Sequence, residues 1–116
     1  MIVDGYNFER LDTLNAPYET VTAEDTLKLI RADLKRNYPQ TKFSVRSKRG
    51  LMYHTVIIRW VADAPPADDV RALMAPYRST IGGDYSNTFA VEREGRWVHY
   101  DIASIQCWRF PPPPTN

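Results

Sequence analysis

Past Thr22, apolar residues recur at helical spacing: Ala23, Leu27, Ile30 and Leu34 share one side, while Lys28, Arg31, Lys35 and Arg36 take the flanks and outer side. Thr22 followed three positions later by Asp25 has the spacing of a capping box, in which hydroxyl and carboxylate satisfy backbone donors at a helix start. The pattern predicts a helix over residues 23–37, stopped by Pro39. From Lys42 the period drops to two. Phe43, Val45 and Ser47 point one way and Lys42, Ser44, Arg46 and Lys48 the other, so one face of this strand is buried and one is basic. Arg49 and Gly50 can turn the chain. Residues 53–60 then predict a second strand, with Val56, Ile58 and Trp60 on one side and Tyr53, Thr55, Ile57 and Arg59 on the other, and the two strands form a hairpin.

Pro65 and Pro66 suit the opening of a second helix, whose apolar stripe is Val70, Leu73, Met74 and Tyr77 and which Pro76 ends or bends. Gly82 and Gly83 mark a loop. Residues 88–92 and 96–101 read as two further strands around Glu94 and Gly95, a pair able to adopt positive φ. The order α-β-β-α-β-β predicts an α+β two-layer sandwich, an antiparallel four-stranded sheet with both helices on one face. Residues 1–20 show no sustained period and form an acidic arm; 21–110 form a single α+β domain; 111–116 are a proline-rich tail in the polyproline II conformation. Ile102, Ile105, Cys107, Trp108 and Phe110 are too apolar for a free tail and either pack on the domain or form a contact surface.

Composition removes several possibilities. A chain of 116 residues, 43% apolar and 25% charged, fits one globular domain and lacks the signature of disorder. No apolar run approaches a bilayer span and the first residues lack a secretory pattern, so a cytoplasmic protein without a membrane partner is expected. The single Cys107 cannot form an internal disulfide. Two separated His and one Cys lack zinc-ligand spacing, and Gly82 and Gly83 lack the Lys and Ser or Thr of a phosphate-binding loop, so no metal or cofactor is expected. His54 stands apart. His99 has Asp101 two positions on and Ser104 nearby, but strand spacing of two gives a shared face and not a relay, so no enzyme is expected.

Charge changes the picture most. Residues 26–60 carry nine Lys or Arg against Asp33 alone, residues 1–25 carry one Arg against six acids, and residues 61–116 carry five Arg against seven acids. A net charge of +1 therefore hides an internal dipole able to steer an anionic partner. Eleven of the fifteen basic residues are Arg, the side chain suited to bidentate pairing with carboxylate or phosphate. Ser44, Arg46, Lys48 and Arg49 form the sharpest constellation: a strand presenting such groups contacts phosphates while Tyr53 stacks on a base. The same residues also suit a solvated face that discourages edge aggregation. A third reading folds the acidic arm, through Asp4, Glu9, Asp12 and Glu19, over the basic face, and such an arm can also mimic a nucleic-acid backbone. Trp60, Trp97 and Trp108 read as core residues, yet Trp108 beside Arg109 and Phe110 also has the composition of an interface hot spot, for a protein partner or a homodimer.

The stretch TAEDTLKLIRADLKRNYPQTKFSVRSKRG, followed by HTVIIRW and PPADDVRALMAPY, resembles the twenty-ninth type of large polyvalent protein associated domain over residues 18–85. The helix ending in YP, the FSVRSK strand, the second strand closed by Trp60 and the Pro-led helix carry the resemblance, and GGDYS is similar to the segment that follows in that family. Members occur in very large proteins of phages and conjugative elements and as small stand-alone proteins. The resemblance implies an accessory protein of a mobile element in a bacterial host, binding a host protein or nucleoprotein complex in counter-defence or transfer. It brings no catalytic residue. Direct nucleic-acid binding by the basic hairpin is the alternative, and an uncharacterised enzyme the third.

Overall fold

A computed structural model of the chain describes residues 1–49, 54–82 and 86–114. The chain enters as three short strands, β1 (Ile2–Val3), β2 (Tyr6–Arg10) and β3 (Tyr18–Val21). Thr22 then caps helix α1 (Ala23–Asn37), its Oγ1 accepting the Asp25 N–H at 3.2 Å. The Asp25 carboxylate faces Lys28, 3.8 Å away. Leu27, Ile30 and Leu34 are buried as their spacing requires, and the Tyr38 N–H closes the helix on the Leu34 carbonyl just before Pro39. Next come β4 (Ser44–Arg49), β5 (His54–Val61), helix α2 (Ala67–Leu73) and a 3₁₀ turn (Ala75–Tyr77), and last β6 (Phe89–Arg93), β7 (Arg96–Tyr100) and β8 (Ser104–Phe110). Glu94 and Gly95 both take positive φ, 53° and 77°, in the two-residue turn of the β6–β7 hairpin, as read from the sequence. Gly50 and Tyr53 of the first hairpin, residues 83–85 of GGDYS, and residues 115–116 of the tail lie outside the described residues.

The α+β class and the two helices stand; the single antiparallel four-stranded sheet does not. The strands form two mixed sheets, one of order β1-β2-β6-β7-β3 and one of order β4-β5-β8. Both predicted hairpins form, but in different sheets. Each is completed by segments distant in sequence: β2 and β3 flank β6 and β7, and β8 lies parallel to β5. The parallel pairing of β5 and β8 depends on a long crossover, which α2 and the β6–β7 hairpin provide. Residues 1–20, read as an acidic arm, supply β1, β2 and most of β3, with Phe8 fully buried.

One apolar cluster takes side chains from both sheets and both helices, among them Phe8 and Val91 from the larger sheet, Ile30 and Leu34 from α1, Ile58 and Trp60 from β5, and Val70 from α2. α1 packs along β4 and α2 along β8, so both cover the face of the small sheet that carries Val45, Ile58 and Cys107. Of the three tryptophans read as core, Trp60 is buried, with its Nε1 donating to the Pro65 carbonyl at 3.0 Å; Trp97 is half-buried; Trp108 is half-exposed. The reason lies in register: Trp60 shares a face with Ile58, whereas Trp108 sits one position beyond the buried Cys107 and points the opposite way.

Polar stitches hold the larger sheet to α1. The Tyr77 hydroxyl donates to Asp33 Oδ2, and its ring meets Tyr100 edge-on with centroids 4.9 Å apart. Arg93 lies over Tyr6 and Tyr77 at 5.9 and 5.7 Å and donates to the Tyr100 hydroxyl at 3.0 Å. Burial pushes both phenols above their ordinary pKa, and the Asp33 carboxylate adds to the rise at Tyr77.

Candidate functional site

In the small sheet Ser44 stands opposite Arg59, and Arg59 opposite Trp108; Arg46, Ile57 and Gln106 make the next row, and Lys48, Thr55 and Ser104 the one after. Alternation along the strands puts all three rows on the face turned away from the helices, together with Val61 and Phe110. Two clusters singled out separately in the sequence, the hairpin cations and the C-terminal aromatics, thus share one surface. Trp108 and Phe110 are 50% and 47% exposed and Val61 61%, a solvent-facing apolar strip beside the cations.

The cations of this face stand on strands without carboxylates. Elsewhere Arg10 pairs with Asp12, Lys28 with Asp25, Arg36 with Asp33, Arg71 with Asp68 and Arg78 with Asp4. Among the described residues, Arg46, Lys48 and Arg59 have no carboxylate within ion-pair distance, a condition shared with Arg31, Lys35, Lys42, Arg49, Arg93, Arg96 and Arg109, and no Asp or Glu lies on β4, β5 or β8. Three of the four acids considered as a cover are engaged elsewhere, Asp4 with Arg78 at 2.8 Å, Glu9 with the N-terminal ammonium at 3.4 Å and Asp12 with Arg10, and the fourth, Glu19, lies on β3 beside β7 in the larger sheet. The positive field of the hairpin therefore reaches solvent.

The aromatic strip is held in place. Trp108 Nε1 donates to Gln106 Oε1 at 3.3 Å, Thr55 and Ser104 hydroxyls bond across the strands at 3.1 Å, and Arg109 Nη1 donates to the Ala62 carbonyl at 3.0 Å beside the end of β5. Of the residues singled out in sequence, Ser44, Arg46, Lys48, Trp108 and Phe110 come together here. Arg49 and Arg109 are exposed but belong to the opposite parity, and Tyr53 lies outside the described residues. The sequence reading put Arg59 on the outward side of its strand without counting it as a site residue, and missed Val61 and Gln106 as members of the face. The alternation of SIQCWRF, with Ile105 and Cys107 inward and Gln106 and Trp108 outward, carries that signal.

A cavity of about 570 Å³ lies on the other side, between α2, the 3₁₀ turn and β8, lined by Arg71, Met74, Arg78, Ala103, Ile105 and Cys107. Its cations are occupied: Arg71 holds Asp68 at 2.6 Å and Arg78 holds Asp4. Burial pushes the Cys107 thiol up to about 11, more than nearby Arg71 lowers it, so the sulfur stays protonated at neutral pH and is a poor nucleophile. His99 Nδ1 donates to the Phe89 carbonyl at 3.0 Å and the Ser104 hydroxyl pairs with Thr55, so His99, Asp101 and Ser104 form no relay among the described residues. No group of three or more His, Cys, Asp or Glu among the described residues is arranged to hold a metal ion. No described helix is long and apolar enough to cross a membrane.

A family model described as large polyvalent protein associated domain 29 matches residues 21–109, a span that includes both helices and every strand of the small sheet except the last residue of β8. No curated protein and no solved structure matches the chain.

Proposed function

This chain belongs to the large polyvalent protein associated domain 29 family, and from that premise we propose that it is an accessory protein of a phage or conjugative element. It acts by binding a host nucleoprotein complex, in counter-defence or in transfer, and not by covalent chemistry. The outer face of the small sheet is the binding surface. The observation that carries this reading is the row in which Arg59, with no carboxylate partner, lies between Ser44 and the half-exposed Trp108. Trp and Arg are enriched among the few residues that carry most of the binding energy of interfaces, and unpaired cations add attraction toward an anionic partner.

Affinity capture from a host lysate tests the reading. Wild-type protein is compared with Arg46→Glu, with Trp108→Ala, and with Lys28→Glu on the far helix. The expected result is a complex recovered by wild type and by Lys28→Glu and lost from both face variants. Equal recovery by all four would remove the outer face from consideration.

A further inference from the structure

We propose that the ligand of this face is single-stranded nucleic acid, its phosphates on the cations of β4 and β5 and its bases on the aromatic rings of β8. The inference rests on the reading of the outer face as the binding surface and adds the chemistry of the occupant.

Geometry and charge carry it together. Neighbouring strands lie about 4.8 Å apart and residues two positions apart on a strand about 7 Å, so Arg59 on β5 stands directly beside Trp108, Arg46 lies one row off and about 12 Å from it across two strands, and Lys48 lies two rows off at about 17 Å. A nucleotide with its base on Trp108 can set its phosphate on Arg59 or, through the length of that side chain, on Arg46, and a neighbouring phosphate of the same strand reaches Lys48. Trp108 and Phe110 alternate along one strand and so project from the same side about 7 Å apart, offering platforms to two successive bases. Stacking on an aromatic ring tolerates any base, since each has a π-face, and it requires the base to be unpaired. A double helix keeps its bases stacked inside and so offers no free base to Trp108 or Phe110. Duplex could touch the cations only.

Charge argues against a protein as the primary occupant. A protein partner complementary to this face would bring carboxylates; it would leave the flat Trp108 and Phe110 surfaces to find apolar pockets of matched shape. Single-stranded nucleic acid supplies both complements in every repeat, a phosphate for the guanidinium or ammonium and a flat ring for the indole or phenyl. Polar Ser44, Thr55, Ser104 and Gln106, interleaved on the face, add neutral hydrogen-bonding groups and no negative charge. Readout is therefore of backbone and ring faces, which binds without strong sequence preference.

The test measures binding of a fluorescent twelve-residue oligodeoxythymidylate, the matching oligouridylate and a twelve-base-pair duplex to the whole chain by anisotropy across a salt series. Both single strands are expected to bind, with affinity falling linearly in log–log salt coordinates, and the duplex to bind at least tenfold more weakly. Each of Arg46→Ala, Lys48→Ala and Arg59→Ala should reduce the salt slope by about 0.7. Trp108→Ala should weaken binding by about 5- to 100-fold while leaving the slope unchanged, and Trp108→Phe should retain most of it. These substitutions are at exposed positions, and a far-ultraviolet circular dichroism melt accompanies each. Duplex bound as tightly as single strand, or a Trp108→Ala variant indistinguishable from wild type, would overturn the inference. So would a dimer by light scattering that buries Trp108 and excludes the oligonucleotide. If no oligonucleotide binds, yet a host protein is captured from nuclease-treated lysate in an Arg46- and Trp108-dependent manner, the occupant is a protein: the inference fails while the binding face stands. If neither is bound, both fail.

Discussion

Arg59 of β5 and Trp108 of β8, 49 residues apart in the chain, are register partners on the solvent face of the small sheet. Their meeting depends on residues 104–110 adding to β5 in parallel, which turns a strand with two exposed aromatics into the neighbour of a basic hairpin. The next residues along, Trp60 and Arg109, fall on the other face. Faces can therefore be told apart by stability alone. Arg59→Ala and Trp108→Ala should each change unfolding free energy by less than about 0.5 kcal/mol, as solvent-facing substitutions do. Ile58→Ala, one position from Arg59 and fully buried, should cost about 2–5 kcal/mol. Urea unfolding of the three variants checks this; a cost at Trp108 matching that at Ile58 would contradict the register.

Phe8 asks a different question, whether the acidic N-terminal segment is structural. Its side chain is fully buried in β2, which pairs with β6. Phe8→Ala should cost about 3–5 kcal/mol in chemical unfolding. A loss below about 1 kcal/mol, within the range of surface changes, would show that β1 and β2 lie on the domain without contributing to its core.

Alkaline pH should destabilise the fold through Cys107. The thiol has an ordinary value of 9.0 and is held up to about 11 in the folded chain, so the unfolded chain loses this proton first as pH rises. Stability from this group is whole below pH 9 and falls as pH climbs toward 11, by on the order of 2–3 kcal/mol. Tyr77 and Tyr100, also raised by burial, push in the same direction at higher pH. Thermal unfolding of Cys107→Ala between pH 8 and 11 should therefore show a flatter decline than wild type. Parallel declines would mean that the thiol is not sealed from water.

Local periodicity made much of this fold legible. The capped α1, both hairpins and the Pro-led α2 each carry a pattern set by neighbours in sequence, so Ala23, Leu27, Ile30 and Leu34 could be placed before any tertiary contact was known. The sheet could not. Whether β5 accepts β8 or β7 as its next strand depends on long-range packing, and β2 and β3, unlike the equally short β6 and β7, are joined by no tight turn to the strands beside which they lie in the larger sheet, β6 and β7. The candidate site shows the same division. Arg46 and Lys48 were readable as an exposed basic edge because their strand alternates cleanly. Arg59 was readable on the outward side of the second strand of the same hairpin, whereas Gln106 joins the face only through the long-range pairing of β8 with β5, and the exposure of Trp108 follows from the parity of Cys107.

The most direct measurement is amide and indole chemical-shift mapping of isotope-labelled protein as oligodeoxythymidylate is added at low salt. The account predicts a contiguous set of shifted signals on β4, β5 and β8, centred on Arg46, Arg59 and the Trp108 indole N–H, with the larger sheet and the cavity beside Arg71 unmoved. Shifts gathered around Arg71 and Arg78, or spread evenly over every exposed cation with the Trp108 indole unchanged, would contradict it.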